Sequence, residues 1–79
     1  MIAEPQYLLK SIKFEGDFLI LEVNDLSLKF RLSDISKKLS HATDAQRMNY
    51  IVSPSGYGIH WPQLDEDLSI NGLIQLAEK

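Results

Sequence analysis

The stretch "KFEGDFLILEVNDLSLKFRL", residues 13–32, constrains the fold more than any other part of the chain. Apolar and polar side chains alternate through most of it, the period of a strand, whose successive side chains point to opposite faces. Leu8, Ser11 and Lys13 interrupt the pattern upstream, and alternation becomes clear from Ile12 to Phe14. Glu15-Gly16-Asp17 is a short turn with a glycine free to take positive φ, so two antiparallel strands meet there. The second strand, about Phe18 to Val23, carries Leu19, Leu21 and Val23 on one face and Phe18, Ile20 and Glu22 on the other. Apolar residues on both faces indicate a central strand. After a tight turn at Asn24-Asp25, Leu26, Leu28, Phe30 and Leu32 alternate with Ser27, Lys29 and Arg31. The reading is a three-stranded meander.

The period then changes. Ser33 has the chemistry of an N-cap, Asp34 suits the first turn, and Ile35 and Leu39 share a face at i, i+4, which predicts a short helix over about Ser33 to His41. "HATDAQ" is a connection with room for one helical turn near Asp44 to Gln46. "RMNYIVS" reads as a fourth strand, with Met48, Tyr50 and Val52 alternating with Asn49, Ile51 and Ser53. Pro54-Ser55-Gly56 turns the chain into a fifth strand, "YGIHW", with Tyr57, Ile59 and Trp61 on one face and Gly58 and His60 on the other. Ser69 caps a final helix in which Ile70, Leu73, Ile74 and Ala77 form the apolar stripe. Gly72 inside it predicts a close approach to the sheet. The order β-β-β-α-β-β-α describes an α+β domain: a mostly antiparallel sheet of about five strands with two short helices packed on it. Its expected core is Leu19, Leu21 or Ile20, Leu28, Phe30, Ile35, Leu39, Ile59, Leu73 and Ile74.

Composition narrows the possible functions. Seventy-nine residues, 44% of them hydrophobic, make one domain spanning 1–79. A chain of this size buries only about 60–65% of its unfolded surface. A partner or a homodimer is therefore one source of added stability. There is no cysteine, which fits a reducing compartment and removes thiolate-ligated metals. The start "MIAEPQYLLKSIKF" lacks the basic and apolar runs of a signal peptide, and no stretch nears the roughly 18 apolar residues of a membrane span. A cytoplasmic protein without membrane contact is expected. A net charge of −3 with scattered Lys and Arg argues against direct nucleic-acid binding.

Chemistry-bearing residues concentrate in "SPSGYGIHWPQLDEDLSINGL". A zinc site wants three or four ligands, and His60 stands alone apart from Asp65, Glu66 and Asp67. Calcium loops alternate oxygen ligands around a glycine, which "LDEDLS" does not. "SPSGYG" is neither a nucleophile elbow nor a phosphate-binding loop. No catalytic residue, metal ligand or cofactor site is assigned, and the expectation is a protein that is not an enzyme. The alternative is a small metal-dependent or enzymatic module using His60 and the acidic loop Asp65–Asp67. Tyr57, Trp61 and Pro62 offer rigid amphipathic surface of the kind enriched at interface hot spots. An acidic rim of Asp65, Glu66 and Asp67 would steer a basic partner. Tyr57, His60, Trp61, Pro62, Asp65, Glu66 and Asp67 are thus the candidate partner-binding residues. The competing assignments are Trp61 and Tyr57 as core, and the three acids as residues at the start of the last helix, favoured by its dipole.

The segment "SGYGIHWPQLDEDLSINGLI", with Trp61-Pro62 followed by Asp65 through Ser69 and a short apolar helix, closely resembles the C-terminal signature of domain-of-unknown-function family 2442, a group of small bacterial proteins. The upstream meander and "FRLSDISKKL" are similar too, so the resemblance spans nearly the whole chain. It implies a protein encoded beside a small protein of family 4160, the pair resembling a toxin–antitoxin module with this chain as antitoxin. Some longer relatives add a helix-turn-helix domain. This chain ends at Lys79, so direct contact with DNA is not expected. The resemblance brings no catalytic residues.

Overall fold

The computed structural model describes residues 9–54 and 56–77. Leu8 at the head of the first strand-like stretch, and Ser55 in the predicted turn, lie outside them.

The meander forms where alternation predicts it. β1 (Leu9–Glu15), β2 (Phe18–Val23) and β3 (Leu26–Arg31) make an antiparallel sheet in that order, with β2 central. Glu15 faces Phe18 across a two-residue turn in which Gly16 adopts φ 55°, a conformation a side chain would disfavour. Asn24 takes the same left-handed region in the turn that sets Val23 opposite Leu26. Leu19, Leu21 and Val23 are fully buried, whereas Phe18 and Ile20 are half-buried on the other face. On that outer face Lys29 Nζ lies 4.5 Å and Arg31 Cζ 5.5 Å from the centre of the Phe18 ring.

The expected single helix over Ser33–His41 is two separate turns, α1 (Leu32–Ile35) and α2 (Lys37–Ser40). Ser36 is the break: its backbone is extended at φ −163°, ψ 111°, and its Oγ accepts from Leu39 N. The cap is therefore Ser36 rather than Ser33, because a serine hydroxyl that bonds a downstream N–H competes with continued helix. The turn predicted near Asp44–Gln46 is α3 (Asp44–Met48), begun by a capping box in which Thr43 and Gln46 bond reciprocally. α3 absorbs Arg47 and Met48, so the fourth strand shrinks to β4 (Ile51–Val52).

The expected five-stranded sheet is instead two three-stranded sheets. β4, β5 (Gly58–Trp61) and β6 (Glu66–Ser69) form a second antiparallel sheet with β5 central. β6 departs from the sequence expectation, which places these residues in an acidic loop or at the start of the last helix. The reason lies in pairing. Turning at 62–65 sets Trp61 opposite Glu66 and Ile59 opposite Leu68, so β5 gains a partner on each edge without joining the first sheet.

α4 (Ile70–Ala77) follows directly, with Ile70, Leu73 and Ile74 buried as predicted. Ser69 Oγ accepts from Gly72 N at 2.8 Å, the predicted cap. Gly72 itself is exposed, and the close approach is to that cap rather than to the sheet: a Cβ there would lie 2.7 Å from Ser69 Oγ. One core serves both sheets, joining Leu19, Leu21, Val23 and Phe30 to Leu32, Leu39, Ile59, Trp61, Ile70, Leu73 and Ile74. Leu28 and Ile35 pack at its margin.

Candidate functional site

Alternation along β5 and β6 decides where each candidate residue goes. On the inner face Trp61 is fully buried, so it is core and not partner-facing surface. Its ring meets Phe14 of β1 edge-on at 6.5 Å and Tyr50 at 6.3 Å, and its Nε1 donates to Arg47 O at 2.9 Å. Satisfying the indole N–H on a backbone carbonyl is what permits complete burial.

The acidic triplet does not act as a unit. Glu66 is half-buried opposite Trp61, accepts from Ser36 Oγ at 2.6 Å, and also accepts from Asp67 N at 3.0 Å. It ties β6 to the α1–α2 break. Asp65 occupies the turn with φ 50°, and its carbonyl accepts from Lys38 Nζ at 2.9 Å. Asp67 alone projects from the outer face. There its Oδ1 lies 2.7 Å from Nδ1 of His60, the residue directly opposite. Among the described residues no three His, Asp or Glu side chains converge as a metal site, and the alternative's four residues supply one pair.

Tyr57 and Pro62 are both exposed but lie at opposite ends of β5. Tyr57 precedes β5 and is exposed rather than buried with Ile59 and Trp61; with His60, Asp67 and two residues not foreseen, Ile51 and Ser53, it lines an open concavity of about 400 Å³ that also reaches Ile59 and Leu68. Ile51 sits opposite His60 and is 57% exposed; Tyr57 is 46% exposed. Ser53 closes the β4–β5 connection by accepting Tyr57 N and Gly58 N on its Oγ. The signal for Ile51 was present in the sequence: it is an isoleucine in the phase of Asn49 and Ser53, apolar where that alternation calls for polar. Arg47 was also missed, having been read as the first residue of a strand. It is 8% exposed and donates Nε to Leu39 O, Nη1 to Gly16 O and Nη2 to Ser40 O, all within 3.0 Å.

A family model described as a protein of unknown function, DUF2442, matches residues 9–79. The chain belongs to the DUF2442 family. The match covers both sheets and the whole outer face. Two solved structures share the DUF2442 chain's architecture. A crystal structure of a protein of unknown function from Rhodospirillum rubrum has a TM-score of 0.72 at 26% identity, over 90% of this chain and 88% of that one. A solution structure of an uncharacterized protein from Chromobacterium violaceum has a TM-score of 0.68 at 33% identity, over 85% of this chain and 63% of that one. No curated protein matches. No helix among the described residues is long and apolar enough to cross a membrane.

Proposed function

We propose that this DUF2442 chain is a non-catalytic, cytoplasmic protein-interaction domain that docks a small basic protein on the outer face of β4–β5–β6. The observation that carries the reading is the pairing of exposed apolar side chains, Ile51 and Tyr57, with the exposed carboxylate of Asp67 around one concavity. Aromatic and aliphatic groups of this kind anchor interfaces, while a neighbouring acid speeds encounter with a cationic partner. Asp65 is exposed in the turn before β6 and adds a second carboxylate near that end of the strand. A cysteine-free sequence fits a reducing compartment. The family resemblance supplies the specific form of the proposal: the partner is a toxin of family 4160 and this chain its antitoxin.

The test is co-expression with the small protein encoded in the adjacent reading frame, followed by association kinetics. Ile51→Ser and Tyr57→Ser should each weaken the complex at least about tenfold through a faster off-rate. Both should leave the melting temperature nearly unchanged, because these side chains are already half in solvent. Failure to form a complex at about 50 µM, or a complex indifferent to both substitutions, refutes docking on this face.

A further inference from the structure

The outer-face concavity has a chemical polarity that narrows what can enter it. Ile51 and Tyr57 supply apolar and aromatic wall, and among the described residues the lining holds Asp67 and His60 but no Lys or Arg. His60 holds one oxygen of Asp67 through Nδ1 at 2.7 Å, fixing the carboxylate's direction, while Oδ2 has no hydrogen-bond partner among the described residues. An anion would be repelled by Asp67, and a metal ion would find two ligands where it needs three or more. A long side chain with an apolar stem and a cationic head satisfies every wall at once.

We propose that this groove is a pocket for a partner's arginine side chain, with its guanidinium on Asp67 Oδ2 and across the Tyr57 ring and its stem against Ile51. This rests on the docking face proposed above and names its anchor. Arginine is chosen over lysine because a planar guanidinium can stack on an aromatic face while donating in its own plane to a carboxylate, whereas an ammonium is a compact, strongly hydrated point charge.

The experiment is a ¹⁵N–¹H titration of the full chain with the peptide acetyl-Leu-Arg-Leu-amide, set against the same peptide with neutral citrulline for arginine. Saturable shifts should be confined to residues 51, 57–60 and 67–69, with a dissociation constant of about 1–10 mM, and the citrulline peptide should bind at least about tenfold more weakly. Asp67→Asn should abolish that preference; Asp67→Glu and His60→Gln, which keep a carboxylate, should retain it. The dispersion of each variant's spectrum reports folding independently. Equal binding of the two peptides, shifts located elsewhere, or no shift at 20 mM overturns the arginine pocket. Those outcomes leave the docking face itself to be judged by Ile51→Ser and Tyr57→Ser, so the two failures are distinguishable.

Discussion

Replacing Arg47 by methionine tests the least expected feature of the core. The side chain keeps most of its apolar stem in this change and loses only its polar head. That head bonds three backbone carbonyls, two at the C-terminal end of α2 and one in the β1–β2 turn, and has no carboxylate within ion-pair distance among the described residues. It thus caps the end of α2 from a different helix: Ser40 O gains a donor, and Leu39 O, which already accepts from Ala42 N at 3.2 Å, gains a second. Its own carbonyl receives the Trp61 indole, so the same residue fixes the joint between the sheets from both of its ends.

Hydrogen bonds with a charged donor contribute about 1.5–3 kcal/mol each. Two of these three are only part-buried, so water can replace them in the variant. Removal of the buried guanidinium's desolvation cost offsets part of the loss as well. A net destabilisation of about 2–4 kcal/mol remains, which lowers the melting temperature of a domain this small by at least about 8 °C. Thermal denaturation followed by far-ultraviolet circular dichroism measures it. Arg47→Lys, which can reach one carbonyl at a time, should fall between the two. An Arg47→Met protein melting within about 3 °C of the parent would show that the three bonds add nothing to stability, and the staple argument would fail.

Leu73→Ala should cost about 2–5 kcal/mol, since Leu73 is 5% exposed on the apolar stripe of α4; an unchanged urea midpoint would place the stripe wrongly. Trp61→Phe should cost about 1–3 kcal/mol by leaving Arg47 O without its donor and the core underfilled, read as a shifted melt with unaltered secondary structure. Gly72→Ala should miss the roughly 1 kcal/mol that helix propensity offers, because the new Cβ meets the capping Ser69 hydroxyl; in a Ser69→Ala background the gain should reappear. Asp67→Asn should leave the melting temperature within a few degrees, since its partnership with His60 is solvent-exposed, whatever it does to binding.

Where local pattern is long, the sequence predicts structure closely. Three consecutive period-2 runs joined by Gly16-Asp17 and Asn24-Asp25 form the expected antiparallel meander, and Phe30 is buried as its phase requires; β2 is apolar on both faces, and packing selects Leu19 and Leu21 over Ile20. The α4 stripe and its Ser69 cap were legible for the same reason. Segments of two to four residues were not, because they carry too few repeats to reveal a period. Ser33 and Ser36 both precede plausible helical turns, and only tertiary context selects Ser36, whose hydroxyl is also held by Glu66 of β6 at 2.6 Å. β4 is two residues long, which no alternation can announce.

The acidic triplet shows how one short segment can mislead about function as well as fold. Asp65, Glu66 and Asp67 look equivalent in sequence, and next to a capped helix a dipole role for all three is reasonable. A strand separates them instead, because neighbours in a strand must face opposite ways. Glu66 turns in beside Trp61 and is used up on Ser36; Asp67 turns out beside His60 with a carboxylate oxygen to spare; Asp65 spends its carbonyl on Lys38 and keeps its side chain in solvent. The register that buries Trp61 therefore also exposes Asp67, with Ile51 and Tyr57 bordering the same concavity. Moving β6 by one residue would exchange Glu66 and Asp67, and would place Leu68 in solvent and Ser69 over Ile59. Core packing of Leu68 against Ile59 thus fixes which carboxylate is available to a partner, and the site on the outer face is a consequence of the hydrophobic register on the inner one.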